Sequence, residues 1–297
     1  MTAAVPITAT ERHVSLDGRT SLEIRHAAHA DAVERFDTET LRRHFLVESM
    51  FRPDEVALTY SHVERMVIGG AMPVTRTLPL EALKPIGAPT FLARRELAII
   101  NVGGAGRVSV DGATHELTKL ESLYVGKGAS EVAFASAKPH DPARFYLVSA
   151  PAHATYPTRK IGLAQTRTMH LGTRETANVR TIHQVIQPDV CPSAQLAMGF
   201  TVLEAGSVWN TMPAHRHDRR CEIYFYFDLT AEARVFHLMG RPSETRHIVV
   251  ANEQAVLSPV WSMHSGVGTS AYSFVWAMAG ENQAFDDMDA APVTDLR

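Results

Sequence analysis

Residues 212–227 read MPAHRHDRRCEIYFYF and combine two histidines, a glutamate and a run of alternating large aromatic residues. His215 and His217 are separated by one residue, so on a β-strand their side chains point to the same face. Glu222 lies at an odd offset and would face the other side of a straight strand. A bend at residues 218–220 would return it to the histidines. The stretch therefore predicts two strands and a turn that present two imidazoles and a carboxylate together.

A third histidine follows a proline in SPVWSMHSG, residues 258–266, where four residues separate Pro259 from His264. An isolated His-x-His pair is more often two surface or core histidines than a pair of ligands. The addition of Glu222 and His264 favours a metal site with His215, His217, Glu222 and His264 as ligands. Three imidazoles and one carboxylate suit zinc, iron, manganese or nickel, and no thiolate is present to select among them.

The composition predicts a soluble globular protein that acts on something small. The chain has 297 residues, of which 45% are hydrophobic and 21% charged, with a formal net charge of -3. This balance gives no reason to expect nucleic acid or an anionic membrane as a partner. Cys191 and Cys221 form no CxxC pair, which favours a reducing, cytoplasmic setting. The N-terminal residues have neither the basic segment nor the apolar segment of a secretory signal.

Short runs rich in Val, Ile, Phe and Tyr, bounded by turn residues, predict an all-β fold of the sandwich or barrel type. They form two dense blocks, 55–150 and 196–280, with a similar strand–turn–strand rhythm that indicates a duplicated fold. The polar stretch between the blocks is predicted to be a connector. One helix is predicted within residues 30–52, with Asp37 or Thr38 as its N-cap. We expect an N-terminal extension (1–21), a domain without metal (22–160) and a metal-binding domain (161–297).

Polar side chains near the predicted ligands are candidates for substrate binding. Tyr224 and Tyr226 alternate with Glu222 and share its face, where phenols can donate hydrogen bonds or relay a proton. The alternative is that both tyrosines simply pack, as they often do in strands. Arg219 and Arg220 lie at the predicted rim and could bind a carboxylate in bidentate fashion. A solvated turn is the alternative for the two arginines.

The His-x-His pair with its glutamate, and the proline-led histidine, resemble the two signatures of the cupin superfamily, whose four ligands hold one metal at the mouth of a small β-barrel. Trp261 stands where the second signature usually has glycine, and Gly206 is further from His215 than is usual. Longer stretches, WNTMPAHRHDRRCEIYFYFDL (209–229), GRPSETRHIVVANEQAVLSPVWSMHSGV (240–267) and YSHVERMVIGGAMPVTRTL (60–78), resemble the 5-dehydro-4-deoxy-D-glucuronate isomerase family. This resemblance runs from about residue 22 to the C-terminus.

The family implies a bicupin fold, with two jelly-roll β-barrel domains and a few short helices. It also implies one Zn²⁺ per chain on the four residues above, a homohexamer, and a role in the bacterial breakdown of pectin and related uronates. The implied reaction is the aldose–ketose isomerisation of 5-dehydro-4-deoxy-D-glucuronate to 3-deoxy-D-glycero-2,5-hexodiulosonate.

Such a reaction passes through an enediolate, whose charge a metal stabilises while a base moves the proton. Tyr226, Glu253 and His247 are the candidate catalytic side chains, and a hydroxide on the metal is a further candidate. Arg219, Arg220, Tyr224 and Arg246 are the candidates for substrate binding. Two other functions remain open for a cupin of this kind. One is an Fe(II) dioxygenase, and the other is a non-catalytic protein that binds a sugar acid.

Overall fold

A computed structural model describes residues 11–297 and confirms the predicted all-β architecture with few helices. The first ten residues of the predicted extension lie outside the described residues. In the N-terminal half the strands are β1 Arg12–Val14, β2 Thr20–Arg25, β3 Leu46–Val47, β4 Val56–Ser61, β5 Val67–Ala71, β6 Leu78–Pro79, β7 Arg95–Asn101, β8 Gly106–Val110, β9 Ala113–Leu117, β10 Ser122–Val125, β11 Val132–Ser136, β12 Phe145–Pro151 and β13 Arg159–Ile161.

The second half of the chain continues the pattern. Its strands are β14 Arg167–Leu171, β15 Arg180–Ile186, β16 Ala197–Leu203, β17 Trp209–Arg216, β18 Arg220–Phe227, β19 Val235–Arg241, β20 Glu244–Val250, β21 Gln254–Ser258, β22 His264–Gly268, β23 Ser273–Gly280 and β24 Asp289–Ala290. The helices are α1 Ala30–Val33 and α2 Thr38–Phe45, with short 3₁₀ turns at Lys84–Ile86, Leu163–Gln165 and Val293–Asp295.

The strands form four sheets that pair into two barrels of the same topology. In the first barrel a sheet with the order β1-β2-β4-β5-β12-β7-β10-β13 faces one with the order β6-β11-β8-β9. In the second barrel β14-β15-β16-β23-β18-β21-β3 faces β20-β19-β22-β17-β24. The central run β4-β5-β12-β7-β10 corresponds strand by strand to β15-β16-β23-β18-β21. The predicted duplication is therefore present in the strand order.

The two large sheets pack against each other through the largest apolar core of the molecule, and β18 lies at its centre. Ile223, Phe225 and Phe227 point into this core between the barrels. Tyr224 and Tyr226, on the other face of the same strand, belong to the core inside the second barrel. All eight residues of β18 are buried because both faces of the strand are covered.

The predicted helix within residues 30–52 is two short helices, α1 and α2. Asp37 caps α2 by accepting a hydrogen bond from the backbone N–H of Thr40 (2.7 Å), as the sequence predicts. Leu41 and Phe45, four residues apart, bury one face of α2 against the second barrel. The chain then enters β3, which pairs with β21.

The polar stretch predicted as a connector contains strands of both barrels. β13 pairs with β10 of the first barrel, whereas β14 pairs with β15 of the second. β14 is a mostly exposed edge strand, so its sequence lacks the apolar alternation of a buried one. Since β3 also joins the second barrel's sheet, the division at residues 160 and 161 stays a prediction. No helix among residues 11–297 is both long and apolar enough to span a bilayer.

Replacing Phe225 with alanine tests the importance of the core between the barrels. The Phe225 ring is fully buried and stacks on Tyr146, with 4.4 Å between ring centroids. We expect Phe225→Ala to lower the free energy of unfolding by about 3–5 kcal/mol, because the cavity left behind cannot be refilled. Phe236→Ala is the matched control, since that ring is 39% exposed. Denaturant unfolding measures both, and equal losses would contradict the assignment of the core.

Candidate metal centre

The four predicted ligands come together on the inner face of the second barrel. β17 ends at Arg216, the chain turns at residues 218 and 219, and β18 carries Glu222 back towards the histidines. His215 is directly opposite His264 in the pairing of β17 with β22. One candidate ligand atom from each of His215, His217, Glu222 and His264 lies within 4.8 Å of the others. The ring Nε2 atoms of His217 and His264 are each 2.9 Å from Oε2 of Glu222.

Each imidazole is oriented through its Nδ1 atom by a group outside the cluster. The contacts are His215 with the carbonyl oxygen of Pro213 (3.1 Å), His217 with that of Asp287 (2.7 Å) and His264 with the hydroxyl of Ser258 (3.2 Å). A carbonyl can only accept, so it selects the tautomer with the proton on Nδ1 and leaves Nε2 as an electron-pair donor. The hydroxyl of Ser258 can accept in the same way, so all three imidazoles can present Nε2 to a metal.

Burial sets the protonation of the cluster. It lowers the pKa of His215 to about 3 and also lowers the pKa of His264. Burial alone would raise the pKa of Glu222, but the adjacent imidazoles of His264 and His217 bring it well below its usual value. Nε2 of His264 is buried and makes no directed hydrogen bond with the residues that the structure describes. Neutral His215 and His264 beside an ionised carboxylate fit a divalent cation, which would use the electron pair of this buried nitrogen.

The cluster opens onto a cavity of about 360 Å³ between the two sheets of the second barrel. One wall is apolar and carries Phe274, Trp276, Met278, Phe285 and Met288. Polar groups on the opposite wall include Asn210 and Thr211, and the Thr211 hydroxyl lies 3.1 Å from that of Tyr224. An apolar wall with a few convergent polar groups beside a cluster of metal-binding residues is typical of a small-molecule site.

Of the arginines predicted to line the rim, Arg220 lines the cavity and Arg219 is not among the described lining residues. The Arg219 guanidinium forms ion pairs with Asp287 and Asp289. Hydrogen bonds from Arg219 and Asn282 lower the pKa of Asp287 well below its usual range. Arg220 is fully buried and donates to the backbone carbonyls of Ala284 and Asp287 at 2.5 and 3.1 Å. Both arginines therefore hold the loop that carries the carbonyl partner of His217.

The other candidates drawn from the sequence are distributed more widely. Tyr224 lines the cavity, with its ring centroid 5.1 Å from that of His264. Tyr226 lies deeper in the barrel, where its hydroxyl forms a hydrogen bond with Nδ1 of His237 (2.8 Å). Tyr226 is not among the described residues that line the cavity, and neither are Glu253, His247 and Arg246.

Those three candidates make contacts elsewhere in the molecule. Glu253 lies in the tight turn between β20 and β21 and pairs with Arg144 of the first barrel at 2.7 Å. His247 is exposed on β20. Arg246 donates to the carbonyls of Val33 and Phe36 and so fastens the segment between α1 and α2. These placements count against direct catalytic or substrate-binding roles for the three residues.

Sequence reasoning missed Arg180 on β15 and Asp286 in the loop after β23, both of which line the cavity. Arg180 is the last residue of the stretch interpreted as a connector. The buried face of β15 carries Arg180, Ile182 and Gln184, a mixture of charged, apolar and polar residues that does not read as a buried face in the sequence. Asp286 belongs to an irregular loop, for which the local sequence gives no indication of contact with the histidines.

Removing one outer partner of the histidines tests how the site is built. In Ser258→Ala the hydroxyl that orients His264 is lost with little change in volume. We expect the dissociation constant for a divalent metal to rise about tenfold or more, because an unsupported imidazole loses its fixed orientation. Ser270→Ala, at an exposed position, is the matched control. Competition with a fluorescent chelator measures both affinities, and an unchanged value for Ser258→Ala would contradict this role of the hydroxyl.

Comparison with known proteins places the chain in a family. It is 55% identical over 280 residues to the 4-deoxy-L-threo-5-hexosulose-uronate ketol-isomerase of Burkholderia cenocepacia, covering 93% of this chain and 100% of that one. The enzyme of the same name from Yersinia pseudotuberculosis is 52% identical over 278 residues, with the same coverage.

Among solved structures, an IolB-like protein from Salmonella typhimurium LT2 shares the fold. The TM-score is 0.62 at 16% identity, and the match covers 74% of this chain and 85% of that one. The sequence model of the KduI/IolB family matches residues 45–293, a range that contains all four residues of the candidate metal centre. The protein is a member of the KduI/IolB family.

Proposed function

We propose that this protein is a metal-dependent aldose–ketose isomerase that converts 5-dehydro-4-deoxy-D-glucuronate to 3-deoxy-D-glycero-2,5-hexodiulosonate. The observation that carries the proposal is the cluster of three histidines and one glutamate at the wall of the 360 Å³ cavity. The identity of 55% to a named ketol-isomerase, along the whole length of that enzyme, gives the substrate.

The candidate ligands in this proposal are His215, His217, Glu222 and His264, with zinc as the metal. A divalent metal, when bound, supplies a Lewis acid that polarises the carbonyl of the substrate and stabilises enediolate charge. Tyr224 lies beside the cluster, and its burial raises its pKa well above the usual value. Its hydroxyl therefore stays protonated and can donate a hydrogen bond to a substrate oxygen.

Arg180 is our candidate for binding the substrate carboxylate. It is a buried arginine that lines the cavity, where desolvation strengthens its attraction for an anion. Burial lowers its pKa, but a guanidinium remains charged at neutral pH. Arg180 itself donates to the carbonyl of Asn178 at 3.0 Å, which orients the guanidinium.

The finer proposals rest on the family resemblance. They are one zinc per chain, a homohexamer, a cytoplasmic location and a place in the breakdown of pectin-derived uronates. Elemental analysis of the purified protein and light scattering after size-exclusion chromatography test the first two. A different stoichiometric metal would contradict the zinc assignment, and a monomer would contradict the hexamer. Fractionation of cells tests the cytoplasmic location, and growth of a deletion strain on polygalacturonate tests the role in the breakdown of pectin-derived uronates.

The isomerase proposal is tested by comparing two histidine variants. His217→Ala removes a candidate ligand, so we expect loss of bound metal and a decrease in kcat of about 1000-fold or more. His247→Ala removes an exposed histidine of the same barrel and is expected to retain both. The assay uses 5-dehydro-4-deoxy-D-glucuronate, prepared with a pectate lyase and an oligogalacturonate lyase. A wild-type protein that holds metal but leaves this substrate unchanged would favour an Fe(II) dioxygenase or a sugar-acid-binding protein.

The role of Arg180 is tested separately from that of the metal. We expect Arg180→Gln to raise KM by about 10- to 100-fold while the bound metal is retained, because one charge-assisted carboxylate contact is lost. Arg180→Lys, which keeps the charge without the planar fork, should be intermediate. Arg107→Gln, at an exposed position on β8 of the first barrel, is the matched control. A KM for Arg180→Gln equal to that of the wild type would contradict the assignment.

A further inference from the structure

A second cavity of about 370 Å³ lies outside the barrel interiors, and half of its lining residues are charged. One wall is the outer face of β2 and β4 in the first barrel, where Ser21, Glu23 and Arg25 alternate with the core residue Leu22. The other wall is α2 and β3, which pack on the second barrel. The cavity is thus at the junction of the two barrels, where the apolar core between them ends.

Arginines dominate the charge of this cavity. Five of them line it: Arg12, Arg25, Arg42, Arg43 and Arg52. The acidic groups paired with them are Glu23, Glu48 and Glu55, so two positive charges are in excess. Glu55 is shared, since both Arg12 and Arg52 reach its Oε1 atom, at 3.4 and 3.0 Å.

Two of the arginines carry the argument for a ligand. Nη2 of Arg25 lies 3.1 Å from Glu23, while its Nε and Nη1 are buried and make no hydrogen bond with the described residues. Burial lowers the pKa of this guanidinium. Arg43 donates to the Thr40 hydroxyl at 3.3 Å, and no carboxylate of residues 11–297 lies within ion-pair distance of it. Glu23 does not satisfy all the donors of Arg25, and Arg43 brings a positive charge without a carboxylate partner, so the net positive charge of the cavity attracts an anion.

We propose that this cavity is a binding site for a small multivalent anion that carries phosphate or carboxylate groups. Planar guanidinium groups match both kinds of group through paired hydrogen bonds. The volume of about 370 Å³ admits a molecule of the size of pyrophosphate or citrate. Bound there, the anion bridges the N-terminal strands and α2. The proposal is independent of the isomerase function, because the cavity shares no lining residue with the candidate metal centre.

Isothermal titration calorimetry tests the proposal on the intact, metal-loaded protein. Pyrophosphate and citrate are titrated separately, at a constant ionic strength set with chloride. We expect saturable binding of at least one of the two, with about one site per chain. Arg43→Gln and Arg12→Gln should each raise its dissociation constant about tenfold or more, because each removes a charged donor. Arg107→Gln, an exposed position on β8, removes the same charge elsewhere and is the matched control. Circular dichroism without anion verifies the fold of each variant.

Three results would overturn the proposal. One is the absence of saturable binding beyond the chloride control for both anions. Another is a dissociation constant that rises equally in Arg107→Gln, which would indicate a general effect of net charge. The last is binding that survives both Arg43→Gln and Arg12→Gln but is displaced by D-galacturonate, which would place the anion in the catalytic cavity. If Arg43→Gln and Arg12→Gln weaken the binding of only pyrophosphate, or of only citrate, the result supports the site and identifies the anion that it prefers.

Discussion

The burial of β18 on both faces is the constraint on which the rest of the structure depends. Its odd-numbered residues pack between the barrels, as in the stacking of Phe225 on Tyr146, and its even-numbered residues line the interior of the second barrel. A shift by one residue would move aromatic side chains out of the inter-barrel core and Glu222 out of the metal centre. The apolar packing that stabilises the fold therefore also determines where the carboxylate points.

The first barrel supports the site although its own interior is filled by apolar side chains. The carboxylate of Glu96, fully buried on β7, accepts hydrogen bonds from three consecutive backbone N–H groups, 194–196, at 2.7 to 2.8 Å. Gln283, from the loop after β23, donates to the carbonyl of Leu196 at 2.7 Å. Four residues further along the same loop, the carbonyl of Asp287 orients His217. A continuous chain of hydrogen bonds and covalent backbone thus connects one barrel with the metal centre of the other.

The two barrels share their strand order but differ at the strands that carry the donors. In the second barrel β17 is eight residues long and includes His215, and His217 follows it directly. The corresponding strand of the first barrel, β6, is the dipeptide Leu78–Pro79. Proline cannot donate to a ladder and leucine cannot bind a metal, so this copy contributes packing instead. The same topology is therefore compatible with a polar, open cavity in one copy and an apolar core in the other.

The sequence by itself determined the all-β class, the duplicated rhythm, an N-cap at Asp37 or Thr38 and the identity of the four clustered donors. These features depend on alternation, turn residues and spacing, which are local in the chain. Only the tertiary structure decided which other polar residues reach the cavity. Arg219 is engaged by Asp287 and Glu253 by Arg144, contacts that join residues 68 and 109 positions apart. Nothing local to either residue encodes such a partner, because the competing carboxylate or guanidinium arrives only when distant strands pack together.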